Sequence, residues 1–202
     1  MFINPKSLEW KAAHNILTDI VSPRPIAFVS TTSKEGVNNV APYSLFCPMC
    51  YVPMIVGFAV GRKKDGQKKD TLVNIENLKE YVINVVNESL AKAMVKAARA
   101  YPPDIDEFEK TQLTPVKALT VNAPMVAESP VNMECRLLQI LEFGTAPNLS
   151  NFVIGELINI HVKDEFVDGN EIDALKLKII GRLGGGGSAY CRTTDVFKLN
   201  RT

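Results

Sequence analysis

Strand-like alternation dominates the first part of the chain. Residues 26–33 (Ile-Ala-Phe-Val-Ser-Thr-Thr-Ser) are β-branched and apolar, and follow Arg24-Pro25, a pair that favours extended backbone before the proline. Lys34-Glu35-Gly36 predicts a hairpin turn and residues 37–43 the returning strand. Residues 53–60 form a compact apolar run, read as a strand buried on both faces. The period then changes. From Thr71 to about Lys79, Leu72, Ile75 and Leu78 fall at helical spacing, with Asp70 as the expected N-cap. Residues 81–86 return to strand character. Residues 89–100 predict a second helix stopped by Pro102-Pro103, and 106–112 a short third. Three long stretches, 131–143, 152–162 and 174–183, read as antiparallel strands. Helices are too few to cover both faces of a parallel sheet. The expected fold class is therefore mainly β: a closed or partly closed antiparallel β-barrel with a few peripheral helices.

Composition narrows the function classes. The 202 residues contain 46% hydrophobic and 22% charged positions, ordinary for a globular protein. No linker or repeat divides the chain, so one domain spanning 1–202 is expected. A formal net charge of +1 argues against a general nucleic-acid binder, which needs excess Lys and Arg to displace counterions. The longest nearly apolar run, 51–60, is interrupted by Pro53 and Gly57 and is about half of the roughly 20 residues a membrane helix needs. No basic segment followed by an apolar one opens the sequence, and four cysteines do not make a disulfide scaffold. A cytoplasmic protein is the simplest expectation, with neither nucleic acid nor membrane as partner.

Near-neutrality conceals one concentrated segment. Residues 62–69 (Arg-Lys-Lys-Asp-Gly-Gln-Lys-Lys) hold five cations and one anion, ending where a helix is predicted to begin. This is either a solvated basic loop or an anion site, in which open N–H groups, Lys69 and the Thr71 hydroxyl would take a phosphate. In Asn38-Asn39-Val40-Ala41-Pro42-Tyr43-Ser44, Asn39 and Ser44 can hydrogen-bond a polar edge. Small Ala41 there would admit a flat ring; otherwise the segment is a kinked strand. The run Gly184-Gly185-Gly186-Gly187 reads as a loop, being neither a P-loop nor a Rossmann fingerprint. Cys47-Pro48-Met49-Cys50 has CxxC spacing but no second pair, so no metal site is read. His161, between Ile160 and Val162, reads as structural. With two histidines, a Ser-His-Asp hydrolase has little support, and no catalytic residue is named.

In order and spacing, three elements together resemble the flavin reductase-like family of FMN-binding split barrels. They are Ser22-Pro23-Arg24-Pro25, Asn39-Val40-Ala41-Pro42-Tyr43-Ser44 and Lys69-Asp70-Thr71-Leu72-Val73-Asn74. The likeness is strong over residues 22–86 and weaker to Leu183. Gly184–Gly187 ahead of Tyr190 and Arg192 is similar to a glycine-tyrosine element of the flavoredoxin-like branch. One departure stands out: many members carry a histidine just before the strand expected at Phe152, where this chain has Ser150-Asn151.

The resemblance implies a split-barrel homodimer with FMN near the subunit interface. Its implied flavin contacts are Ser30 and Thr31, then Asn39, Val40, Ala41, Pro42 and Ser44, then Lys69, Asp70 and Thr71. Asn74 would support the last turn, and Arg24 would be a further phosphate or ring contact. The implied activity is hydride transfer from NAD(P)H to flavin, with reduced flavin supplied to a partner. A flavoredoxin-like carrier that keeps FMN and serves an electron-accepting protein, and a non-redox ligand-binding barrel, are the alternatives. A pyridoxamine-phosphate oxidase-like enzyme fits the motif order less well.

Overall fold

The computed structural model describes residues 1–184 and 188–199. A helix, α1 (Trp10–Ile20), precedes β1 (Ala27–Thr32), β2 (Asn38–Tyr43), β3 (Phe46–Tyr51) and β4 (Met54–Gly61). Then come α2 (Asp70–Leu78), β5 (Glu80–Val85), α3 (Ala91–Ala97) and α4 (Glu107–Thr111). Two short strands, β6 (Pro115–Val116) and β7 (Met125–Val126), lead into the long β8 (Val131–Phe143) and β9 (Ser150–Val162). The described chain closes with the small pairs β10 (Val167–Asp168) with β11 (Glu171–Ile172), and β12 (Ile180–Arg182) with β13 (Tyr190–Arg192).

Seven strands form one antiparallel sheet in the order β2-β1-β5-β8-β9-β4-β3. Its two edge strands are joined by only Ser44 and Leu45. Laid flat, seven strands about 4.8 Å apart would span roughly 29 Å. Three Cα–Cα steps of about 3.8 Å reach at most roughly 11 Å. The sheet must therefore curl until its edges approach, and β2 comes into contact with β4, the neighbour of β3. The antiparallel barrel expected from the sequence is the fold observed.

Curling puts alternate residues inside. Val29, Val56, Phe58, Tyr81, Ile83 and Val153 fill the interior with Leu72 and Ile75 of α2. Phe58 packs between Tyr43 and Tyr81, at ring separations of 5.4 and 5.5 Å. The other faces of β1 and β2 are covered too: Phe28 and Val40 pack with Met94 of α3 and Phe108 of α4. β1 is thus buried on both faces, as is its neighbour β5. β4, expected in that role, buries Val56, Phe58 and Val60 but leaves Met54 exposed and Ile55 and Ala59 half-buried. Gly155 on β9 makes room for Tyr81: a Cβ there would lie 2.0 Å from the Tyr81 hydroxyl and 2.9 Å from Arg136 O. At the β1–β2 turn, Gly36 adopts the φ of +86° that the hairpin requires.

Other expectations need correction. The helix after the basic segment begins at Asp70, so Lys69 and not Asp70 occupies the N-cap position. Of residues 174–183, Ala174 to Lys178 form turns, and only Ile180–Arg182 is strand. The helix expected over 89–100 is α3 preceded by a 3-10 turn at Glu88–Leu90. Helix α1 and strand β3, which contains both Cys47 and Cys50, were not anticipated. Cys47, Cys50, Cys135 and Cys191 are all free thiols, and no group of three or more metal-ligating side chains occurs among the described residues. No helix among them is long and apolar enough to cross a membrane. Gly185, Gly186 and Gly187 lie outside the described residues.

His161 is structural, as expected, through a buried carboxylate. Glu134 Oε1 and Oε2 accept from the backbone N–H groups of Leu119, Thr120 and Val121 at 2.7–3.0 Å, and His161 Nε2 lies 2.5 Å from Oε1. These contacts hold the 119–121 loop against the barrel. Burial alone would raise the Glu134 pKa, but His161 and the three N–H donors outweigh it and bring the carboxyl to about 2, below its ordinary 4.5. A depressed carboxyl contributes stability that is complete above its unfolded pKa and disappears as pH falls towards the folded one. Glu134→Gln is expected to cost on the order of 2–3 kcal/mol near neutral pH. The gap to the wild type should narrow between about pH 4.5 and 2, read by urea unfolding across pH; equal stabilities at pH 7 would remove this role.

Candidate functional site

One cleft of about 630 Å³ opens where β2, the basic loop, the start of α2 and the segment after α3 meet. Asn39, Ala41, Pro42 and Tyr43 of β2 form one wall. Residues 62–65 with Lys69, Asp70 and Thr71 form a second, and Ala97 to Tyr101 with Glu107 form the rest. The Thr31–Asn39 and Thr32–Asn38 register of the hairpin sets which side chains of β2 face this space.

The basic segment is less cationic than its sequence. Arg62 pairs with Glu142 at 2.7 Å, Lys63 with Asp70 at 2.8 Å and Lys68 with Glu76 at 2.7 Å. Lys69 is different. It is half-buried, has no ion-pair partner among the described residues, and holds Nζ 5.5 Å from the centre of the Tyr43 ring. Burial lowers its pKa. As N-cap it gives the helix no side-chain hydrogen bond, which leaves first-turn N–H groups available to an acceptor. A desolvated cation with no counter-anion beside an uncapped helix start fits an anionic group of a ligand.

Three of the lining residues, Asn39, Thr71 and Glu107, belong to a buried amide hub that extends behind the wall. Asn39 Oδ1 accepts from the hydroxyls of Thr71 at 2.6 Å and Thr31 at 3.2 Å. Asn74 Nδ2 donates to Thr31 Oγ1 at 3.0 Å, tying α2 to β1. Asn39 Nδ2 donates to Glu107 Oε2 at 2.8 Å, and Val40 N–H donates to the same oxygen at 2.6 Å. Six residues from four elements, one of them through its backbone N–H, are thereby fixed in one chain of donors and acceptors. Glu107, missed in the sequence, is buried on the cleft floor. Burial raises its pKa to about 7, with Asp70 and Asp106 adding to the rise while Val40 N–H and Lys63 oppose it. The Tyr43 hydroxyl, buried in the barrel, is also pushed up, first by burial.

The twelve residues singled out by sequence divide by position. Asn39, Ala41, Pro42, Lys69, Asp70 and Thr71 line the cleft. Thr31, Val40 and Asn74 are buried behind it. Ser30 lies on the opposite face of β1, donating to Pro124 O and accepting from Asn84 Nδ2 at 3.0 Å. Ser44 and Arg24 line a separate pocket of about 160 Å³ with His14 and Leu183. Arg24 is buried and donates to the carbonyls of Thr18, Val21 and Leu183, clamping the end of α1 to the segment after β12. The structure therefore does not bring Arg24, Ser30 or Ser44 to the main cleft.

A family model described as "Flavin reductase like domain" matches residues 21–175. Nitrilotriacetate monooxygenase component B from Bacillus cereus is 33% identical, with a TM-score of 0.92 over 98% of each chain. The 2-nitrobenzoate 2-nitroreductase of Pseudomonas fluorescens is 31% identical, with a TM-score of 0.89 over 100% of this chain and 96% of its own. A flavoredoxin of Desulfovibrio vulgaris (Miyazaki F), 19% identical, shares the fold with a TM-score of 0.76 over 89% and 91%.

Asn39→Ala should destabilise the fold by about 2–4 kcal/mol, because it leaves Glu107 and two buried hydroxyls short of partners. Thr71→Val, which removes one hydroxyl donor, should cost only about 1 kcal/mol. Combining the two should cost less than their sum, as expected for one network. Urea unfolding of the three variants checks this; strict additivity would mean that Thr71 and Asn39 act independently.

Proposed function

The chain belongs to the flavin reductase-like family of split barrels, and on that footing we propose that it is an FMN-binding NAD(P)H:flavin oxidoreductase that supplies reduced flavin to a partner protein. The observation that carries this reading is Lys69, a desolvated cation with no ion-pair partner among the described residues, beside the uncapped start of α2 and facing β2. A phosphate-bearing ring system matches that arrangement: one anionic end, and one flat face against Ala41 and Pro42.

In this reading Lys69 and the backbone N–H groups of Asp70 and Thr71 hold the phosphate, the Thr71 hydroxyl being committed to Asn39, and Lys63 keeps Asp70 from repelling it. Asn39, Ala41 and Pro42 bound the ring, with Ser44 further along the chain. Thr31, Val40 and Asn74 hold those groups in place from behind, while Ser30 and Arg24 support the surrounding backbone. When bound, the flavin supplies the two-electron acceptor for a nicotinamide hydride. The protein's own contribution is alignment and exclusion of water, so no acid–base dyad is required. That the B. cereus relative is a monooxygenase component supports a partner protein as the destination of reduced flavin.

A homodimer of this single domain belongs to the same proposal. Met49, Met54, Leu138 and Phe143 lie exposed on the strands β3, β4 and β8, apolar side chains that a second copy would cover. Four free thiols suit a cytoplasmic setting.

Purified protein should bind FMN and show its yellow absorption, and should oxidise NADH or NADPH when FMN is present. A protein that takes up no added FMN would defeat the reading. FMN binding without nicotinamide oxidation would favour the carrier. Lys69→Ala should weaken FMN binding about tenfold to a hundredfold while changing riboflavin binding little, in a fluorescence titration. Equal losses for the two flavins would remove the phosphate role of Lys69.

A further inference from the structure

Glu107 sits where an acid is least expected, on the floor of a cleft read as an anion site. Three features of its surroundings bear on what it does there. Its Oε2 already accepts two hydrogen bonds, from Asn39 Nδ2 and Val40 N–H. Its Oε1 has no hydrogen-bond partner among the described residues, and Glu107 lines the cleft, so Oε1 is the atom on which a proton can be placed. The charged groups around it are of both signs. Asp70 comes from α2, Asp106 from its own helix and Lys63 from the basic loop, while Tyr43 on β2 and Lys69, Arg99 and Tyr101 line the same space. Lys63 is engaged by Asp70 and Asp106 accepts from Asn38 Nδ2, so neither neighbour satisfies Oε1.

We propose that Glu107 is a proton-linked ligand-binding residue: it takes up one proton from solvent when a phosphate-bearing ligand enters, and in its neutral form donates from Oε1 to an oxygen of that ligand. The inference rests on the flavin reading of the cleft. Its logic is electrostatic. An ionised Glu107 repels an incoming anion and offers only acceptors to it; a protonated one removes that repulsion and adds a donor. Because Oε2 keeps both of its hydrogen bonds in either form, the change leaves Asn39 in place. The charge that tunes this residue comes from Asp70 and Asp106, which push it towards the neutral form before any ligand arrives.

The sign of the effect follows directly. As pH rises through about 7 the empty cleft ionises, and each binding event must then recover a proton. Wild-type affinity for FMN should fall about threefold to tenfold between pH 6 and 8.5 by this route. Glu107→Gln imitates the neutral acid, accepting through its carbonyl and donating through its amide, so it should bind FMN with little pH dependence over that range. The phosphate of FMN itself loses a proton near pH 6 in both proteins, so the difference between them isolates Glu107.

The test is calorimetric titration with FMN at pH 7 in two buffers of different ionisation enthalpy, for wild type and Glu107→Gln, with riboflavin as the uncharged probe. Proton uptake on FMN binding by the wild type, lost in Glu107→Gln and smaller with riboflavin, supports the proposal. Equal uptake in both proteins overturns it. Should the variant fail to fold, carbon-13 NMR of the wild-type glutamate carboxyls decides. A carboxyl that titrates near neutrality and moves upward on adding FMN supports the proposal, and one that does neither overturns it. If the wild type binds no FMN at any pH, the flavin reading falls and this inference with it. Binding without proton linkage removes this inference alone.

Discussion

Two residues, Ser44 and Leu45, impose the shape of this protein. They join the first and last strands of a seven-stranded sheet, and no flat sheet can be joined over that distance. Once the sheet curls, strict alternation decides what each strand residue does. Val29 and Thr31 of β1 face the interior and α2, while Phe28 and Ser30 face the layer of α3, α4 and the 118–126 segment. The same closure carries β2 over the start of α2, which is why residues 32 positions apart, Asn39 and Thr71, share a hydrogen bond.

Charge is distributed to suit that frame. The basic loop spends three of its five cations on Glu142, Asp70 and Glu76, contacts that fix the loop's course along the barrel. What remains near the cleft is the exposed Lys64, the desolvated Lys69, one ion-paired aspartate and a buried glutamate close to its own titration point. The segment is thus mostly structural in its charge, with one desolvated cation, Lys69, held at the helix start. That is a different kind of anion site from the broadly positive stripe that a polyanion would need.

Local signals made much of this legible beforehand. The β1–β2 hairpin followed from Lys34-Glu35-Gly36, because a turn with positive φ is written in the glycine itself. The start of α2 was legible to within one residue, and six of the twelve chosen residues line the cleft. The misses have separate physical causes. Helix α1 was overlooked although Trp10, Ala13, Leu17 and Ile20 recur at helical spacing; it buries only Thr18 and leaves Trp10, Leu17 and Ile20 exposed. Strand β3 holds Pro48 and a register shift between Pro48 and Cys50, which disguise its alternation. Leu177 is buried by a turn, so the apolar run from Ala174 imitated a strand. Arg24 reads as a ligand contact until Thr18, Val21 and Leu183 are seen to occupy its guanidinium. Glu107 was invisible because its importance lies in Asn39, 68 residues away.

The two edge strands carry one proline each, Pro42 in β2 and Pro48 in β3. A proline cannot donate to a ladder, so each edge has a missing tooth. Neither edge can zip fully to the other, and neither offers an uninterrupted template to a strand from another molecule. The strand that lines the cleft keeps one margin of its main chain outside the ladder; Glu107 takes one N–H of that margin, at Val40, and a guest that meets the rest breaks no rung of the barrel.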